Sequence, residues 1–173
     1  GAAAAIMMPM TPEAVVVYLG IIWAGGAVVS IADSFAPPEI ATRLAIAKTK
    51  LVFTCDEFLR SGKAVRLYHR LLTIDCPPCI VVGTGKPSRP EDRNYSQWLS
   101  SSDLRTESIA CTSMVTTNYL FSSGTTGTPK AIPWNHTTPI KCAADAHFHQ
   151  DVRAGDVLAW PTNLGWMMGP WLI

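Results

Sequence analysis

Helical and strand-like segments alternate along this sequence, and the alternation predicts an α/β fold, a mostly parallel sheet flanked by helices. Two further observations point the same way. The short apolar runs AVVSI, LVFTC and CIVV are rich in β-branched side chains and read as buried strands. Another apolar strand, beginning at Tyr119, runs straight into a loop of glycines and hydroxyls, an arrangement suited to the carboxyl edge of such a sheet.

At 173 residues, 48% of them apolar and 16% charged, the chain can form one globular domain with its own core. A net charge of +1 excludes general attraction to nucleic acid or anionic membrane. No basic n-region marks a signal peptide. The apolar run from Val15 to Ile31 is broken by Gly20, Gly25 and Gly26 and is too short for a membrane span. It reads as a buried helix followed by a strand. Five scattered cysteines suit a reducing compartment better than a disulfide scaffold.

The elements follow in order. Thr11 can cap a helix, with Pro12 at its first position and Glu13 where the helix dipole favours an anion. Ala14–Trp23 then reads as a largely buried helix ended by Gly25 and Gly26. Ala27–Ile31 is a strand. Pro37 and Pro38 open a helix from Glu39 to about Lys48, with Ile40, Leu44 and Ala47 at helical spacing. Leu51–Cys55 is a strand, Lys63–Leu72 a helix and Cys79–Val82 a strand. Residues 83–102, rich in Pro, Gly and charge, form a surface excursion with one short turn around Trp98 and Leu99. Beyond the Tyr119 strand come an apolar piece at Ala131–Trp134, a helix over Thr137–Gln150 and a strand at Asp156–Trp160. From Gly165 a further helix starts. There is no internal repeat, and the four alanines near the start are the only low-complexity stretch.

The stretch YLFSSGTTGTPK, Tyr119 to Lys130, has the chemistry of a phosphate cradle. Ser122, Ser123, Thr125, Thr126 and Thr128 supply hydroxyl donors. Gly124 and Gly127 let backbone N–H groups approach an anion closely. Lys130 adds a full positive charge behind the rigid Pro129. The pattern is not a Walker A loop, because Pro129 stands where that motif needs Gly, and Ala131 where it needs Ser or Thr.

YLFSSGTTGTPK resembles the phosphate-loop signature of the adenylate-forming, AMP-binding superfamily. AIPWNH just after it and WPTNLGWMMGPW further on resemble the acetyl-CoA synthetase-like branch, in particular plant acyl-activating enzymes of the peroxisomal type. The resemblance implies that residues 6–173 are part of the large N-terminal domain of such an enzyme. Its parent activity would be carboxylic acid activation: ATP and the acid give an acyl-adenylate, which CoA thiol then attacks. The loop would hold the β- and γ-phosphates, and Mg²⁺ would offset their charge. Gly165, Trp166, Met167 and Met168 fall at acyl-pocket positions, and Arg60 and Lys63 at positions that bind the phosphates of CoA. The resemblance suggests the peroxisome, with the cytoplasm as the alternative. The family's hinge, its acidic metal-binding position and its catalytic lysine would lie beyond Ile173. No catalytic or metal-binding residue is therefore expected in this chain, which alone should be inactive. Two alternatives stand beside this reading: a non-catalytic remnant that at most binds ATP weakly, and an unrelated nucleoside triphosphatase.

The remaining candidates are weaker. Arg60 and Lys63 are three apart, one helical turn, and could meet one phosphate together, or simply form a solvated helix face. Cys76 and Cys79 in CPPC have redox-motif spacing, but a strand follows where a thioredoxin-like site wants a helix, and no second pair completes a metal site. His136, His147 and His149 show no zinc-binding pattern, and Asp145 and Asp151 no acid–base pairing.

Overall fold

The alanine run near the start is the middle of the sheet. In the computed structural model, which describes residues 1–101, 107–123 and 127–173, β1 (Ala3–Met7) pairs in parallel with β2 (Ala27–Ser30) on one side and β3 (Leu51–Cys55) on the other. No element was predicted there. Alanine favours helices over strands, but the complete burial of Ala5 and Ile6 between two neighbours overrides that preference.

The main sheet runs β7-β6-β3-β1-β2-β8-β9, its outer members being β6 (Cys79–Val82), β7 (Arg93–Asn94), β8 (Thr116–Ser122) and β9 (Lys130–Asn135). Every adjacent pair is parallel except β8 and β9. This is the expected α/β architecture. Because the strands run parallel, the ends of β1, β2, β3, β6 and β8 open on one common edge.

Helix α1 (Pro12–Trp23) starts as its capping residues predict, with the Thr11 hydroxyl accepting from the Ala14 N–H at 3.4 Å. It ends before Gly25, whose φ of +69° suits glycine. The helix is buried on one face only: Ala14, Val17 and Tyr18 are inside, whereas Val16, Leu19 and Trp23 are more than half exposed. Helix α2 (Pro37–Ile46) buries Ile40 and Leu44, and its Glu39 carboxylate accepts from the Ala36 N–H. The turn expected near Trp98 is α4 (Tyr95–Ser100), capped by Asn94. Helix α5 (Thr138–His149) forms where predicted but buries no residue, and α6 (Met168–Trp171) is the short helix after Gly165.

Two predicted elements are replaced. Lys63–Leu72 is not one helix: β4 (Glu57–Arg60) and β5 (Lys63–Arg66) form an antiparallel hairpin, and only α3 (Leu67–Leu71) is helical. The overlooked signal is the Ser61-Gly62 dipeptide, whose residues have φ of +51° and +75°, as a two-residue hairpin turn requires. Asp156–Trp160 forms no strand, and Val157 is 94% exposed. β9 ends the sheet, so this β-prone segment has no strand to pair with among the described residues.

Candidate functional site

Ser122 and Lys130 face one another. They are register partners in the antiparallel β8–β9 pair, so the loop between them is the connection of a hairpin at the sheet's carboxyl edge. Its first side chains, Ser122 and Ser123, and its last, Thr128 and Lys130, are exposed. Gly127 takes φ +82°, which a residue with a Cβ would adopt only under strain. Gly124, Thr125 and Thr126 lie outside the described residues. β8 is paired in parallel with β2, and Asn118, fully buried, adds a side-chain tie: its oxygen accepts from the Ser30 hydroxyl on β2 at 2.7 Å.

A second group of residues gathers around Asp33, just beyond the end of β2, the strand next to β8. Its carboxylate is buried and accepts from Arg60 Nη2 at 2.5 Å and from Asn163 Nδ2 at 3.1 Å. Its backbone carbonyl accepts from Arg70 Nη1 at 2.7 Å. One acid thus ties the β4–β5 hairpin to the segment that enters α6. Between them lies a cavity of about 610 Å³ lined by Arg60, Trp160, Asn163, Trp166, Met167 and Met168, among others.

The structure therefore brings Arg60 and three of the four acyl-pocket candidates to one cavity. Trp166 leans on Phe35 with ring centroids 5.9 Å apart, and Phe35 in turn lies under the Arg43 guanidinium at 3.9 Å. Gly165 has a different place. A Cβ built there would come within 2.0 Å of the Ala32 backbone nitrogen, so Gly165 lets two backbones touch and does not line the cavity. Lys63 is exposed and also outside the cavity lining. Its relation to Arg60 is not the helical one expected: the two are opposite each other across β4–β5, flanking the turn. Directly opposed residues keep their Cβ atoms about 5 Å apart, so the two cations still share one face.

Sequence reasoning did not single out Asp33 or Asn163. They are 130 positions apart and meet only in the folded chain. The single local hint was an acid just beyond the end of a buried strand. Among the described residues, no three His, Cys, Asp or Glu side chains gather as a metal site would need, and no helix is long and apolar enough to cross a membrane.

The chain is 51% identical over 180 residues to probable acyl-activating enzyme 17, peroxisomal, of Arabidopsis thaliana, and 50% identical over 182 residues to hexanoyl-CoA synthase of Cannabis sativa. Those alignments cover 99% and 100% of this chain but 25% of each relative, so the chain spans about a quarter of their length. In structure it superposes on acetoacetyl-CoA synthetase from Streptomyces lividans with a TM-score of 0.81 at 27% identity, over 99% of this chain and 28% of that one. The AMP-binding enzyme family matches residues 1–173 throughout, and the chain belongs to that family.

Proposed function

We propose that residues 6–173 supply the triphosphate loop and one wall of the acyl site of an ATP-dependent acyl-CoA synthetase. The observation that carries this reading is the Ser122–Lys130 hairpin at the carboxyl edge, with the cation directly opposite the first hydroxyl. Ser122, Ser123, Gly124, Thr125, Thr126, Gly127, Thr128 and Lys130 would surround the β- and γ-phosphates. Exposed hydroxyls, a glycine at positive φ and an exposed ammonium fit a polyphosphate, since charge-assisted bonds are roughly twice as strong as neutral ones. These donors would stabilise the charge that grows on pyrophosphate as a carboxylate attacks the α-phosphate. Mg²⁺ bound with the nucleotide would neutralise part of the remaining charge.

Trp166, Met167 and Met168 would contact the acyl group, two thioethers giving an adaptable wall, while Gly165 sets the close packing behind them. Arg60 and Lys63 would meet a phosphate of CoA from the face they share. Asp33 accepts from one nitrogen of the Arg60 guanidinium, which carries five N–H donors. No residue of this chain is assigned a catalytic role; those named here are assigned to binding. Relatives in Arabidopsis thaliana that are named as peroxisomal support a peroxisomal setting; cytoplasm is the alternative.

Calorimetric titration of the purified chain with ATP and Mg²⁺ tests the reading. Wild type binds, Lys130→Ala weakens binding by roughly tenfold or more, the loss of one charged hydrogen bond, and Thr126→Ala weakens it less. A folded wild-type chain that takes up no ATP would favour a non-catalytic remnant. Hydrolysis of ATP without any carboxylic acid would favour an unrelated triphosphatase.

A further inference from the structure

Far from the nucleotide edge, β6 begins at one of two cysteines for which the acyl-CoA chemistry has no use. Three strands, β3, β1 and β2, separate β6 from β8. The two thiols of Cys76-Pro77-Pro78-Cys79 are reduced, with sulfurs 3.9 Å apart. A disulfide needs about 2.05 Å, so the two sulfurs must approach by roughly 2 Å to bond. The segment between them is held firmly. Pro77 and Pro78 restrict its backbone, and Arg89 donates to the carbonyls of Cys76 and Pro77, each at 3.0 Å. The Cys79 N–H donates to the fully buried Asp92 carboxylate at 2.7 Å.

The two sulfurs differ in access and in charge. Cys79 is fully buried, whereas Cys76 is partly exposed and lines a cavity of about 330 Å³ together with Lys48, Lys50 and Asp75. A hydrogen bond from the Cys79 thiol lowers the Cys76 pKa against the effect of burial, and the Arg89 charge helps. The same hydrogen bond and burial push Cys79 up. Arg89 Nη2 stands 3.3 Å from the Cys79 sulfur, so the cation sits against the buried member of the pair, and its charge also favours the Cys76 thiolate.

We propose that Cys76 and Cys79 form a reversible redox pair, with Cys76 as the attacking sulfur and Cys79 as the resolving one, oxidised by a small disulfide such as glutathione disulfide. Cys76 thiolate attacks one sulfur of that disulfide, giving a mixed disulfide and releasing one glutathione thiolate. Cys79 then attacks the Cys76 sulfur and expels the second. The two cysteine protons pass to the two departing thiolates. In sum, two protein thiols are oxidised, one glutathione disulfide is reduced to two thiols, and excess thiol reverses the exchange. Lys48 and Lys50 at the cavity favour an oxidant carrying carboxylates.

The test incubates the chain with glutathione disulfide, quenches with an alkylating agent and maps the peptides by mass spectrometry. In wild type, the peptide holding both cysteines is expected to lose the mass of two hydrogens and to resist alkylation until a dithiol reductant is added. Cys79→Ser is expected to stop at a glutathione adduct on Cys76, and Cys76→Ser to leave Cys79 unmodified. Alkylation of reduced wild type should give Cys76 a half-maximal pH below the ordinary cysteine value of about 8.5. The proposal is overturned by a stable adduct on wild-type Cys76 that never closes, by closure surviving either substitution, or by an ordinary titration of Cys76. Nucleotide binding enters none of these readouts, so failure of the ATP-loop assignment would leave this result standing.

Discussion

β6 and β9 belong to one sheet and are finished in opposite ways. Around β6, Asp92 is buried and answered three times, by Arg89, by the Tyr68 hydroxyl at 2.7 Å and by the Cys79 N–H, while Leu67 and Leu71 of α3 are wholly inside. Around β9, α5 contributes nothing to the interior, Phe148 is 78% exposed and Ile132 is 44% exposed. The buried cluster draws on β1, β2, β3, β6, α1, α2 and α3, and residues 122–163 add no apolar side chain to it. What holds the fold is therefore concentrated in the first hundred residues. The loop proposed for triphosphate sits on the thinly covered flank, anchored through β8 alone to β2. Preorganisation there rests on the Asn118–Ser30 bond, the β8–β9 pairing and the packing of Tyr119, Leu120 and Phe121 on β8.

Substitutions on the two flanks should differ sharply. The largest effect is expected for Leu67→Ala, where a cavity in the closed flank costs about 3 kcal/mol in chemical denaturation. A value near zero would mean that the closed flank is not what holds the fold. Next comes Asp92→Ala, which strands the Arg89 charge, the Tyr68 hydroxyl and a backbone N–H and costs about 2–3 kcal/mol. Asp92 also sets an acid dependence. Burial pushes its carboxyl up, but the bonds from Arg89, Tyr68 and Cys79 outweigh burial and hold it below the ordinary carboxylate value. Its contribution is then present above the unfolded pKa of about 3.9 and is lost as pH falls through the lower folded value. Denaturation curves from pH 6 to pH 2 should show a steeper loss for wild type than for Asp92→Asn. The smallest effect belongs to the open flank: Phe148→Ser should change stability by no more than about 0.5 kcal/mol. A cost several times larger would show that α5 is covered in solution.

Local chemistry was readable from the order of residues alone. Thr11-Pro12-Glu13 starts a helix because cap, ring and dipole act within one turn, and AVVSI, LVFTC and CIVV pair as strands because β-branched runs suit a sheet buried on both faces. The motif Tyr119–Lys130 carried its own strand and loop, and with them the family. Pairing and distance were not readable. The alanines of β1 became the centre of the sheet only because two strands enclose them, and Asp156–Trp160 stayed unpaired for want of a partner. Asp33 acquired Arg60 and Asn163, and Cys76 and Cys79 acquired Arg89, through contacts that span up to 130 residues. Propensity acts over a few bonds, whereas a buried charge chooses its partner from whatever the completed fold brings within hydrogen-bonding distance.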